Sequence, residues 1–98
     1  MYSISDLLEL AQSERAEKLR IRVGAAPTFV LRGEHHTVEG CKLTEEDAEQ
    51  LLRSLANTRQ MRELWERGRV QFIYKLRDYI PFLVYADKRD ESIRIEIT

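Results

Sequence analysis

Few residues in this sequence have the types and spacing that enzyme chemistry requires. His35 and His36 are adjacent and lie near Glu34 and Glu39, so these four residues could hold a metal ion weakly. Built metal sites, however, usually draw convergent ligands from separate elements. Cys41 and His36 could act as nucleophile and base, but no third group orients them and no oxyanion hole is indicated. We therefore predict no catalytic residues and no metal site.

The densest carboxylate cluster is Glu45, Glu46 and Asp47. These acids fall in the first turn of a predicted helix, where the helix dipole favours negative charge. We therefore interpret the cluster as structural.

A phosphate-binding loop is also missing. None of the four glycines lies in the Gly-x-x-x-x-Gly-Lys-Ser/Thr pattern that wraps backbone amides around phosphate. We predict no ATP hydrolysis by this chain, no cofactor and no small-molecule substrate.

A group of cations is the most informative polar feature, and it consists of Lys18, Arg20, Arg22 and Arg94. The first three alternate along one predicted strand, and the fourth lies in the last. If the two strands are neighbours, the four cations share a patch in which like charges repel unless an anion or an acidic partner binds. Alternatively, Glu17 and Glu96 balance the charge on a solvated sheet face. No aromatic residues interleave with the cations, which argues against nucleic acid.

The first half of the chain predicts one helix and two strands. Apolar residues recur at helical spacing over residues 4–11, and Ser3 with Asp6 forms a capping pattern. Alternation over residues 19–23 and a short apolar run at 29–31 predict strands. The polar residues after Gly33 are expected to close the second strand as a turn.

The second half predicts two helices and three strands. Thr44 and Asn57 are the predicted N-caps, and Gly68 is the predicted end of the third helix. The second helix carries an apolar stripe of Ala48, Leu51, Leu52 and Leu55. Alternation over residues 70–76, 80–84 and 93–97 predicts the strands. The expected fold is α+β, a five-stranded antiparallel sheet with helices mainly on one face and the order α-β-β-α-α-β-β-β.

The last predicted hairpin has more large apolar residues than one face can bury. Tyr79, Leu83 and Tyr85 fall on the side that the alternation leaves outside the core, so they are our candidate protein-contact residues. The alternative is that a loop or the first helix covers them.

Composition limits the remaining choices. A chain of 98 residues with 43% hydrophobic and 34% charged residues suits one domain over residues 1–98. A net charge of −1 gives no overall attraction to nucleic acid or to anionic lipid. One cysteine and the lack of a signal-peptide pattern favour the cytoplasm. Because the chain stops directly after an alternating segment, we expect a piece of a longer protein.

Several strings together resemble a known family. They are Ala16-Glu17-Lys18-Leu19-Arg20-Ile21, Gly24-Ala25-Ala26-Pro27, Gly33, Leu43-Thr44, Gln60, Glu66-Arg67-Gly68-Arg69-Val70-Gln71-Phe72 and Phe82-Leu83-Val84. In order and spacing they resemble the N-terminal, PAS-like domain of the type IV pilus twitching-motility (PilT-like) retraction ATPases, within the secretion-ATPase superfamily. The resemblance spans nearly the whole chain and implies a PAS-like fold. In that family the domain packs against the ATPase domain of the adjoining subunit, which is a binding role.

The sequence departs from the family pattern at positions that bear on nucleotide binding. Two arginines of a later strand, which in the family approach bound nucleotide, correspond here to Pro81 and Leu83, and neither of these residues can hold phosphate. Gln71 stands where the family has aspartate. The resemblance therefore implies the fold of the family domain, but it gives less support to a role in sensing nucleotide.

Two functional hypotheses follow. The first is a divergent, non-catalytic protein-interaction or oligomerisation module that lacks the ATPase domain. The second is a nucleotide-responsive regulatory domain of a larger type IV pilus or secretion ATPase, in which Arg20, Arg22 or Arg94 makes an unusual nucleotide contact. Pro81 and Leu83 favour the first hypothesis. We expect a protein partner or self-association, with no nucleic acid and no membrane.

Overall fold

The computed structural model describes residues 2–98, and over this range it contains three helices and six strands. In chain order they are α1 (Ile4–Ser13), β1 (Lys18–Arg22), β2 (Thr28–Leu31), β3 (Glu34–Thr37), α2 (Glu45–Leu55), α3 (Thr58–Arg67), β4 (Arg69–Leu76), β5 (Ile80–Arg89) and β6 (Ser92–Ile97).

The helices begin where the sequence predicts. At the start of α2, the Asp47 amide donates to Thr44 Oγ1 at 3.1 Å and the Thr44 amide donates to Asp47 Oδ2 at 2.9 Å. Asn57 and Gln60 make the same reciprocal pair before α3. Each pair satisfies two amides that a helix N-terminus leaves without partners. Gly68 ends α3 in the left-handed conformation with φ of 81°, where a side chain would be strained.

The strands form one antiparallel sheet in the order β3-β2-β1-β6-β5-β4. The α+β class is confirmed, but the prediction of five strands and of the order α-β-β-α-α-β-β-β is wrong, because β3 is an additional edge strand. Its four residues are all exposed, so it has no alternation of apolar and polar residues. Backbone pairing to β2, from Thr28 opposite Thr37 to Leu31 opposite Glu34, places this segment in the sheet.

The core lies between the three helices and one face of the sheet. The predicted stripe of α2 is buried, with Leu52 fully inaccessible, and it belongs to the same cluster as the inward residues of the strands. Val70, Phe72 and Val84 are among these strand residues. None of the helices described over residues 2–98 combines the length and the apolar character needed to cross a bilayer.

Candidate functional site

The second face of the sheet carries no helix over the described residues, and we call it the open face. It is formed by the alternate strand residues that point away from the core. Its central members are Lys18, Arg20 and Arg22 of β1, Arg94 and Glu96 of β6, Leu83, Tyr85 and Asp87 of β5, and Arg69, Gln71, Ile73 and Lys75 of β4. Two groups that the sequence suggested separately, the cations and the pair Leu83 and Tyr85, therefore share one surface.

Strand register arranges this surface in rows that run across the strands. The first row is Arg69, Asp87, Arg94 and Arg22. The second is Gln71, Tyr85, Glu96 and Arg20. The third begins with Ile73 and Leu83 and continues to Thr98, which exchanges backbone hydrogen bonds with Leu83 at 3.0 and 2.9 Å.

Asp87 is the buried carboxylate of the first row, with only 8% of its surface exposed. Arg94 holds it in a two-pronged ion pair, in which Nε donates to Oδ1 at 2.8 Å and a terminal nitrogen donates to Oδ2 at 2.6 Å. The guanidinium of Arg94 lowers the pKa of Asp87, and the Asp87 carboxylate raises the pKa of Arg94. Because this geometry fixes both side chains, Arg94 is already paired with a carboxylate within its own chain.

Glu96 neutralises part of the remaining positive charge. One of its oxygens lies 3.2 Å from Lys18 Nζ, and the other lies 3.8 Å from Arg20 Nε. Arg20 Nε is buried and has no hydrogen-bond partner among the described residues. Glu96 therefore offsets part of the positive charge, as the sequence predicted. Glu17 does not, because it accepts a hydrogen bond from the Gly33 amide and makes no ion pair within residues 2–98.

The open face nevertheless remains positive. Its central members include six cationic residues and two carboxylates, which leaves a net charge of +4. Arg22, Arg69 and Lys75 make no ion pair within residues 2–98. These three side chains are exposed, so they are available to an acidic group.

An apolar patch lies beside the charged rows, and it consists of Ile73, Leu83 and Tyr85. Their exposed fractions are 57%, 38% and 37%. The exposure of Leu83 and Tyr85 agrees with the sequence analysis, and their role in protein contact stays a prediction. Sequence analysis missed Ile73, which pairs directly with Leu83 across β4 and β5. The same alternation that exposes Gln71 could have identified it.

Tyr79 is also exposed, at 69%, but it lies in the β4–β5 turn and not among the paired strand residues. Arg77 in the same turn forms an ion pair with Glu9 of α1, which fastens the turn to the helical layer. The structure therefore places Tyr79 apart from the apolar patch.

The other polar groups have ordinary structural settings. His36 Nε2 lies 3.6 Å from Glu34 on an exposed edge strand, and Cys41 is exposed. The described residues contain no group of three or more metal-ligating side chains. In the carboxylate cluster, hydrogen bonds from Thr44, its backbone amide first, lower the pKa of Asp47, consistent with a role in starting α2.

Comparisons with known proteins identify the fold. A comparison with protein-family models found no match, and a comparison with curated proteins found none. Among solved structures, the pilus retraction motor PilT with bound ADP superposes with a TM-score of 0.88 at 21% identity, over 99% of this chain and 29% of that chain.

Two ATPases called DotB have the same fold. The protein from Legionella pneumophila gives a TM-score of 0.75 at 16% identity over 98% of this chain and 28% of that one. The protein from Yersinia pseudotuberculosis gives 0.68 at 16% identity over 99% and 31%. The chain thus spans less than a third of each of these proteins. The expected resemblance to PilT-like and secretion ATPases is confirmed for the fold.

Proposed function

We propose that this chain is a non-catalytic protein-interaction module that binds its partner through the open face. The observation that carries the proposal is the position of the apolar patch, which lies uncovered on a sheet face beside cations that have no ion-pair partner among residues 2–98. Contiguous apolar side chains on a surface mark contact sites, and apolar centres with polar rims are usual in protein interfaces.

The chemistry of the open face suits protein better than it suits nucleic acid. Two carboxylates, Asp87 and Glu96, lie among its cations and would repel a phosphate backbone. Tyr85 is the one aromatic side chain among the central members, whereas single-stranded nucleic acid is usually held by several stacked aromatic rings. An acidic protein surface with an apolar centre meets both features of the face.

The fold indicates the kind of protein in which this binding role would operate. PilT is a pilus retraction motor and DotB is an ATPase, and this chain has the fold of less than a third of either. We infer a divergent relative of the N-terminal, PAS-like domain of such ATPases, which supports interaction or oligomerisation and leaves ATP hydrolysis to other parts of a machine.

A nucleotide-responsive regulatory domain is the second candidate. It is favoured by the ADP bound in the PilT structure and by Arg22, which is exposed and has no ion-pair partner among residues 2–98. Pro81 and Leu83 argue against it, because they stand where the family pattern has arginines. Calorimetric titration with ATP and Mg²⁺ separates the two. A binding isotherm that Arg22→Ala abolishes would replace the interaction proposal.

Site-specific photo-crosslinking in the producing cells tests the proposal. A photoreactive amino acid is placed at Leu83, at Tyr85, or at Trp65 as the control, because Trp65 on α3 is 44% exposed but lies on the other side of the sheet. We expect the same single protein to be linked from Leu83 and Tyr85 and not from Trp65. Leu83→Glu should remove the adduct formed from Tyr85. Equal adducts from all three positions, or none from Leu83, would contradict the proposal.

A further inference from the structure

Charge is divided between the two sides of this molecule. The central members of the open face have a net charge of +4, although the whole chain has a net charge of −1. The opposite charge is concentrated on two helices, since α1 and α2 together carry six carboxylates and one arginine. Each copy of the chain therefore has a basic sheet face and, on its helical side, an acidic surface at α1 and α2, whereas α3 carries three arginines and two glutamates.

One line of residues on α1 combines acid with an exposed apolar side chain. Asp6 and Leu10 of α1 and Glu14, the C-cap residue directly after α1, follow one another at intervals of four residues, so they lie along the same side of the helix. Leu10 is 41% exposed, and neither carboxylate makes an ion pair within residues 2–98. At 1.5 Å per residue the two carboxylate positions are about 12 Å apart.

The open face offers the complementary arrangement. Ile73 and Leu83 lie on β4 and β5, and Lys75 lies two residues beyond Ile73 on β4. Lys18 lies on β1 with its Nζ 3.2 Å from Glu96, so an incoming carboxylate would share this lysine with Glu96. Because β5 and β6 lie between β4 and β1, the two lysines are three strand spacings apart across the sheet. Lys75 is also offset by two residues along the strands, so the two backbone positions are about 16 Å apart. This apolar centre between two cations is complementary in charge to an apolar side chain that lies between two carboxylates.

We propose that the occupant of the open face is α1 of a second copy of this chain, with Leu10 packed on the apolar patch and with Asp6 and Glu14 directed to Lys75 and Lys18. This inference rests on the proposed function, because it names the partner of the same surface. A symmetric contact between two open faces would instead bring together two surfaces of charge +4, which repel. Contact between different surfaces of identical chains is head-to-tail, and it builds rings or open filaments.

Sedimentation equilibrium of the chain tests this arrangement, with Leu10→Glu, Leu83→Glu and Trp65→Glu as variants. We expect the wild type to self-associate and the association to weaken with added salt. Leu10→Glu and Leu83→Glu should each weaken it at least about tenfold, since each places a charge in the centre of the contact. Trp65→Glu should leave it unchanged. Far-UV spectra and melting curves show whether each variant is folded.

A mixture of the Leu10→Glu and Leu83→Glu variants tests the head-to-tail contact most directly. Leu10→Glu retains an intact open face and Leu83→Glu retains an intact α1, so an equimolar mixture should form a dimer that grows no further. Self-association that survives Leu10→Glu would overturn the α1 contact and leave the open face as the interaction surface. A wild type that stays monomeric while photo-crosslinking from Leu83 links a different protein would overturn self-association and leave the proposed function standing. If the wild type stays monomeric and Leu83 also forms no crosslink, both the proposed function and the self-association would be refuted.

Discussion

Two leucines, one buried in the helical layer and one exposed on the open face of the sheet, test the assignment of core and surface most directly. Leu52 is fully inaccessible in α2, whereas 38% of Leu83 is exposed on the open face. Leu52→Ala deletes side-chain atoms from a packed core and leaves a cavity, which costs about 2–5 kcal/mol. Leu83→Ala removes the same atoms where solvent can enter, so no enclosed cavity forms and the cost is about 1 kcal/mol. Identical chemistry at the two sites isolates the effect of burial.

Denaturant melts followed by far-UV circular dichroism measure both values on the same scale. A domain of this size has a free energy of unfolding of about 5–15 kcal/mol, so Leu52→Ala should remove a large fraction of it. The corresponding fall in melting temperature is about 4–8 °C for each kcal/mol. Equal losses at the two positions, or a larger loss at Leu83, would show that the faces of the last hairpin are assigned the wrong way round.

Three further predictions concern the helix cap, the buried ion pair and nucleotide. Thr44→Ala should cost about 1 kcal/mol in the same melts, because it removes the hydroxyl that accepts from the Asp47 amide; no change would show that the capping box is not formed in solution. Asp87→Asn should destabilise the domain at neutral pH. Because Arg94 lowers the pKa of Asp87 from 3.8, the ion pair contributes fully above about pH 4, and its contribution is lost as the pH falls below this value, so the two proteins should converge in acid; a difference that persists unchanged at low pH would contradict this reasoning. Calorimetric titration with ATP and Mg²⁺ should give no heat of binding, and measurable hydrolysis of ATP by the chain would refute its assignment as non-catalytic.

Helix positions could be predicted from this sequence because the signals are local. The Thr44–Asp47 and Asn57–Gln60 pairs place the capping atoms three residues apart, so one short segment contains the whole motif. Strand β3 lacked such a signal. Glu34 to Thr37 are all exposed, and only backbone pairing to β2 identifies them as a strand.

The candidate site was predicted only in part for a related reason. Exposure of Leu83 follows from alternation within one strand, but the pairing of Asp87 with Arg94 depends on register between two strands. Without that register, the sequence predicted either that the four cations repel one another or that Glu17 and Glu96 neutralise their charge. In the structure the neutralising carboxylates are Glu96 and Asp87. The local sequence pattern gave no indication that Asp87 is buried.

The register also explains how one surface can be both stable and available for binding. Asp87 and Arg94 satisfy each other in the middle of the sheet, so the buried carboxylate does not depend on a partner to offset its desolvation. Arg22 and Arg69 flank this pair in the same row, and neither has a carboxylate of its own within residues 2–98. Because they are exposed, they remain hydrated in the free chain and add little to its stability. A partner that brings acidic groups to these arginines would therefore gain attraction without disrupting any ion pair that holds the sheet together.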